Sequence, residues 1–324
     1  MITGNYLLQR LIKMAAVVLA IAVTNFLLIH AAPGDPASVI AGQSGAADPV
    51  FMAQLRAQFG LDKPLSTQLV IYLGHLLRGD LGVSFRQGRG VAGLILERLP
   101  ATLLLTGSAF TFALIMGITL GALAARRVGR IADSIITVLA LGFYATPLFW
   151  VGLMLVLIFS VWLNWLPSFG MNTVGADYTG WAAVADTAQY LVLPAVTLGL
   201  FYMAVYARLT RASMLEVSTQ DFVRTARAKG VPEGRILRRH ILRNALLPVI
   251  TFAGIQAGQL IGGSILVETV FAWPGIGRLA FDALLARDYQ VLLGVFFCTS
   301  VIVVLFNFAT DLIYAWVDPR VSTA

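Results

Sequence analysis

DFVRTARAKGVPEGRILRRHILRNALLPV, Asp221–Val249, lies between two oily stretches and carries seven Lys and Arg residues in a chain that is otherwise mostly hydrocarbon. Its layout is as informative as its charge. Ser218 and Asp221 have the S-x-x-D spacing of a weak capping box, so a helix is expected to begin there. Phe222, Val223 and Ala226 fall on one side of it, with Arg224, Arg227 and Lys229 spread over the rest. Gly230 stands where a helix ends on a left-handed residue. Pro232 then opens a second short helix, which carries Arg235, Arg238, Arg239, His240 and Arg243 toward Pro248. Three readings compete: a solvated loop obeying a charge rule, a lipid-surface helix, and a docking site for another protein. A lipid-surface helix needs a broad apolar face, and this one is narrow. Charge sidedness explains the sign but not the helix–Gly–Pro–helix order, whereas helix-in-groove docking accounts for both. Spacing alone favours docking and leaves the solvated loop and, less so, the lipid-surface helix open.

The surrounding composition sets the class. Of 324 residues, 58% are hydrophobic and 12% charged, and the mean hydropathy is +0.83. A soluble domain carries about a quarter charged residues, so the chain reads as an all-α integral membrane protein. Six stretches reach the roughly 20 apolar residues that cross a bilayer: 11–30, 99–125, 132–160, 188–208, 248–270 and 289–315. The first resembles a signal peptide, but a cut after Ala32 would leave Pro33 beside the scissile bond, so a retained helix is expected. Pro147 and Pro194 are expected to kink spans three and four. Gly254, Gly258 and Gly262 in span five, and Gly117 and Gly121 in span two, have the small-residue spacing of close helix packing, within the chain or against a partner.

Sidedness comes from Lys and Arg. With the N-terminus inside, fifteen of the 23 lie on the inner side, nine of them between Arg208 and Arg243, and the outer loop 161–187 has none. Both termini are therefore expected in the cytoplasm. The net charge of +7 follows this sidedness and does not call for nucleic acid. No ionisable residue lies deep in a span, since Asp133, Glu268 and Asp311 are near the ends. That counts against an ion-coupled secondary carrier. A membrane enzyme would cluster His, Asp or Glu at one face, but His30, His75 and His240 are scattered, so no catalytic residue is assigned. Cys298 is alone, and no metal-ligand spacing occurs.

Between spans one and two, 31–98 is too polar for lipid. Asp48 can cap a helix beginning at Pro49, with Phe51, Met52, Leu55 and Phe59 on one side, that Gly60 ends. A second helix, opened by Ser66, sets Leu69, Leu73, Leu76 and Leu77 at helical spacing before Gly79. The segments expected are thus a first helix over 1–30, an extracytoplasmic helical loop over 31–98, a five-helix core over 99–315 with a cytoplasmic loop at 209–247, and a tail at 316–324.

Four stretches carry a resemblance. Asp221–Val249 resembles the cytoplasmic EAA loop of ABC-importer permeases. APGDPA at Ala32–Ala37, FGLDKPLSTQLVIYLGHLLRGDLGVSF at Phe59–Phe85 and ETVFAWPGIGRLAFDALLARDYQV at Glu268–Val291 resemble signatures of the dipeptide/oligopeptide/nickel branch. The chain departs from the general pattern where Arg224-Thr225-Ala226 replaces Glu-Ala-Ala, and where Leu242-Arg243 occupies the expected place of Leu-Pro.

The resemblance implies a type I ABC importer permease fold in the bacterial inner membrane, forming half of a translocation pathway. The solutes implied are small peptides, or alternatively a nickel chelate or glutathione. It implies a second permease subunit, two ATP-binding subunits or a fused one, and an extracytoplasmic substrate-binding protein. ATP and Mg would sit on those separate subunits, since no G-x-x-x-x-G-K-[ST] occurs here. It assigns ATPase coupling to Asp221, Phe222, Arg224, Thr225, Ala226, Lys229 and Gly230. Candidates for receiving the binding protein are Asp62, Arg78, Asp80, Trp273 and Arg278. Polar candidates for the pathway are Tyr144, Tyr202, Gln256 and Gln259, which serve equally well as interhelical hydrogen bonders.

Overall fold

The computed structural model describes residues 4–31 and 62–317. The expected helix over Pro49–Phe59 and the APGDPA stretch lie outside the described residues. The elements are α1 (Gly4–Ala31), α2 (Leu65–Leu77), α3 (Val91–Arg126), α4 (Ile131–Ala145), α5 (Leu148–Leu155), a π-helical stretch (Val156–Trp162), α6 (Trp181–Ser218), α7 (Asp221–Ala228), α8 (Glu233–Arg235), a second π-helical stretch (Ile236–Leu242), α9 (Arg243–Val270), α10 (Ile276–Leu285) and α11 (Tyr289–Val317). Among the described residues, five helices are long and apolar enough to cross a membrane, within Leu8–Leu28, Val91–Arg126, Trp181–Ser218, Glu233–Leu260 and Tyr289–Thr310. A sixth crossing results if the bent pair Ile131–Ala145 and Leu148–Trp162 counts as one.

That pair bends where Pro147 is expected to kink the third span, and more sharply than a kink. The two helices meet at 109°. The Pro147 ring pushes the preceding residue out of helical geometry, and Thr146 is extended at φ −83° and ψ 136°. Pro194, by contrast, lies inside the continuous α6. The second helix of the basic segment is not a separate short one either. It runs from Glu233 through the π-helical stretch into α9 and carries Pro248 in its interior.

The chain divides into two compact units, 1–100 with 275–324 and 101–274. In the first, α1 and α10 pack on α11. Its core joins Val91, Leu94 and Ile95 to Ile276, Leu279, Ala280 and Ala283 and to Val291, Leu292 and Val295. A β-carbon on Gly294 would collide with Val91, so the absence of a side chain sets the spacing there. In the second unit, α6 packs against α4, α5 and α9. Small residues let α6 approach α3: a β-carbon on Gly117 would lie 2.6 Å from Cβ of Tyr206, and one on Gly121 would lie 2.5 Å from the Ala207 carbonyl. The span-two glycines therefore pack within the chain. A β-carbon on Gly262 would meet nothing within 4 Å.

Candidate functional site

The basic segment is built on a small buried core. Val223 and Ala226 of α7, one turn apart, are buried with Met214 and Val217 of α6, Ile236 and Ile241 of the π-helical stretch, and Ala245 of α9. Removing apolar side chains from water stabilises the packing by about 25 cal/mol per Å², which tethers α7 to three other elements. The helix starts at Asp221, but the capping box does not form. Ser218 is the last residue of α6, its Oγ donates to the Leu215 carbonyl at 2.7 Å, and Gln220 precedes α7 without a side-chain cap. The end is as expected. Gly230 has φ +74°, its N–H donates to the Arg227 carbonyl, and the Val231 N–H donates to the Ala226 carbonyl. These two bonds satisfy carbonyls that the helix leaves open, and a left-handed residue at that turn favours glycine.

The opposite face of α7 is unencumbered. Asp221, Phe222, Arg224, Thr225, Ala228 and Lys229 are exposed, Phe222 at 40%. Phe222 thus does not share the buried face with Val223 and Ala226. Ala226 faces inward, so among the coupling candidates it holds the helix and does not offer contact. Arg224 approaches Asp221 only loosely, at 3.6 Å, with its side chain 71% exposed. Arg227 Nε donates to Glu233 Oε1 at 2.9 Å, bracing the turn between α7 and α8. The apolar surface that a lipid-bound helix needs is here confined to Phe222 and Ala228.

A bidentate pair lies one turn before this core. Arg211 of α6 donates from Nε to Asp133 Oδ1 at 2.6 Å and from Nη2 to Oδ2 at 2.8 Å, and the Gly129 N–H donates to Oδ2 at 3.1 Å. Asp133 is buried at the start of α4. Such forked geometry is strong and directional, and it fastens α4 to the end of α6. Sequence reading saw Asp133 only as a span-end acid. Glu268 is likewise fully buried near the end of α9, where Oε1 accepts from Thr102 Oγ1 at 2.8 Å and from Ser264 Oγ at 3.0 Å. This explains a carboxylate in the ETVF stretch without any exposure.

The pathway candidates separate. Tyr144 stacks on Phe201 with centroids 5.2 Å apart, Phe201 meets Tyr202 edge-on at 5.3 Å, and the Arg208 guanidinium stands 5.9 Å from the Tyr144 ring centre. Tyr144 and Tyr202 thus belong to one aromatic cluster. Gln256 is half-buried and Gln259 exposed on α9. Sequence reading passed over Tyr206 and Thr210, whose buried hydroxyls have no hydrogen-bond partner among the described residues. Their spacing of one turn on α6 was visible, but burial was not.

In the first unit, Asp62, Arg78 and Asp80 are exposed and Arg278 is half-buried, 3.8 Å from Asp282. Asp80 closes the turn after α2: Oδ1 accepts from the Gly82 N–H at 2.9 Å, and Oδ2 lies 2.8 Å from His75 Nδ1. The Gly82 amide, and then His75, hold its carboxyl below the usual carboxylate range. Trp273, in the other unit, corrects an expectation: it is fully buried and donates from Nε1 to the Ala101 carbonyl at 2.8 Å, so it offers no surface to a partner. α2 begins at Leu65 behind Pro64, with no cap from Ser66.

The two signature stretches converge in the first unit. Ser84 Oγ donates to Asp288 Oδ2 at 2.5 Å, and the Asp288 carboxylate also accepts the Val291 N–H at 3.4 Å, capping α11.

Comparison with known proteins agrees with this architecture. A family model described as binding-protein-dependent transport system inner membrane component matches residues 117–323, and one for the N-terminal part of such components matches 3–106. The chain is 38% identical to the di/tripeptide transport system permease protein DppB of Pseudomonas aeruginosa and 40% to the dipeptide transport system permease protein DppB of Escherichia coli K12. It is 42% identical to the glutathione transport system permease protein GsiC of Salmonella choleraesuis. Each of the three alignments spans 98% of both chains. Among solved structures, the inward-facing MetNI methionine ABC transporter matches with a TM-score of 0.53 at 21% identity, over 71% of this chain and 97% of that one. An amino acid ABC transporter with histidines matches at 0.50 and 18% identity, over 68% and 92%. These last two share the fold, that of a type I importer permease. With two family models spanning most of its length and full-length relatives near 40% identity, the chain belongs to the inner-membrane components of binding-protein-dependent transport systems.

Proposed function

We propose that this chain is the transmembrane permease subunit of an ATP-driven importer for small peptides, forming half of the pathway beside a second permease chain. The observation that carries the reading is the two-sided α7: Val223 and Ala226 are buried in the chain's own core, while Asp221, Phe222, Arg224, Thr225 and Lys229 face outward. An element held rigidly on one side and bare on the other is suited to sit in a partner's groove. The partner is a cytosolic ATPase subunit, which binds ATP and Mg in this chain's stead. When the ATPase pair closes, α7 moves with it, and its core carries α6 and α9 along as one packed body, opening the pathway to the other side. The Asp133–Arg211 pair draws α4 into the same movement.

In this reading the basic segment and both termini face the cytoplasm, in keeping with the Lys and Arg distribution. A substrate-binding protein delivers solute to the other face, where the exposed Asp62, Arg78 and Asp80 are available for contact. Gly262, with open space where its side chain would be, is placed to admit a helix of the second permease. Peptide is favoured by the DppB relatives, and the 42% identity to GsiC supports glutathione as a second reading. Uptake of labelled dipeptide, tripeptide and glutathione by a strain lacking and then regaining this chain decides the matter. Restored di- or tripeptide uptake is expected. Restoration of glutathione uptake alone would favour the second reading, and restoration of none would contradict both.

A further inference from the structure

We propose that a cavity of about 490 Å³ in the first unit, between the outer ends of α3, α10 and α11, holds the headgroup of a membrane phospholipid, with its phosphate between Arg86 and Arg98. The lining includes Arg86, Arg98, Asp282, Leu279, Leu285 and Val291. Its level in the bilayer follows from the helices that form it. Arg98 is the last charge before the uncharged run Leu99–Ala125 of α3, and Val291 lies in the first turn of α11, whose crossing segment is Tyr289–Thr310. Two spans enter lipid at this cavity, so it lies in a headgroup layer. α10 shows lipid an apolar edge beside it, with Phe281 39%, Leu284 58% and Leu285 70% exposed.

The charges fit a headgroup carrying both a phosphate and an amine. Among the described residues, neither the Arg86 nor the Arg98 guanidinium makes a hydrogen bond or ion pair. The acids nearby are otherwise engaged: Asp288 accepts from Ser84, from the Arg86 N–H at 3.5 Å and from the Val291 N–H, and Glu97 is paired with Arg89. Asp282 pairs only loosely with Arg278, at 3.8 Å, and keeps 63% of its side chain exposed. Guanidinium forks match phosphate oxygens in pairs, and a carboxylate across the cavity suits a primary ammonium. Inorganic phosphate shares the anion chemistry but makes no use of the apolar edge.

Native mass spectrometry of the full-length chain, with phosphatidylethanolamine or phosphatidylglycerol added in detergent, tests this. Wild type should retain one phosphatidylethanolamine, and Arg86→Gln/Arg98→Gln should bind it at least tenfold more weakly. Arg127→Gln, exposed and outside the cavity lining, should match wild type, and an unfolding temperature of the double variant equal to that of wild type controls for folding. Asp282→Asn should reduce preference for phosphatidylethanolamine over phosphatidylglycerol. Millimolar inorganic phosphate should not displace the lipid. Equal retention by wild type and the double variant would overturn the proposal, as would no retention by either. Displacement by inorganic phosphate would make it a free-anion site and overturn the lipid assignment.

Discussion

Asp133 and Arg211 show how a charge is tolerated at the edge of a membrane span. Both carboxylate oxygens are engaged, by Nε and Nη2 of Arg211 and by the Gly129 amide. Removing one partner leaves the other partly buried without a countercharge, which costs more than losing both. Asp133→Asn is therefore expected to lower the unfolding temperature. The double variant Asp133→Asn/Arg211→Met should be less destabilised than the two single variants summed, with thermal unfolding in detergent as the measurement. Additive losses would mean that the pair does not act as a unit. Such pairings were not legible in the sequence, since 78 positions separate the two residues. Gly230 was legible because a left-handed helix end has a residue signature. Ala272 and Arg287 end helices in the same geometry, at φ +51° and +57°, without that signature, and they escaped notice.

At the scale of elements, the glycine repeats were readable as close-packing surfaces, but not which neighbour each one met. The structure separates them: Gly117 and Gly121 abut α6, whereas Gly262 faces open space. Gly121→Leu should overfill the α3–α6 contact at a cost of about 1–3 kcal/mol, seen as a lowered unfolding temperature of the isolated chain. Gly262→Leu should leave that temperature unchanged and instead weaken co-purification of the second permease. The reverse pattern would reassign the two surfaces. Prolines were the least reliable guides. In water a proline inside a helix costs about 3 kcal/mol, which made Pro248 look like a boundary. Within a membrane, neighbouring helices and local π-helical turns re-satisfy the freed groups, and the helix continues through Pro248 from Arg243 to Val270. At Pro147, where the preceding Thr146 is extended, the chain instead bends by 109°.

For the whole molecule, composition was enough for membrane class, because lipid imposes its demands on every residue of a span, and the six expected spans correspond to five long apolar helices and one bent pair among the described residues. The helix end and turn of the basic segment were also legible, in Gly230 and Pro232. Its polarity was not: periodicity grouped Phe222 with Val223 and Ala226, and only packing shows Phe222 outside with the other two inside. The central claim is that the outer face of α7 docks on an ATPase subunit. Single cysteines at Phe222 and Val223, introduced after replacing Cys298, test it in the assembled complex. The account predicts a short-linker crosslink to the ATPase from position 222 that is abolished when the ATPase is absent, and none from position 223 in folded protein. Equal crosslinking from both positions, or none from position 222 in an active complex, would contradict it.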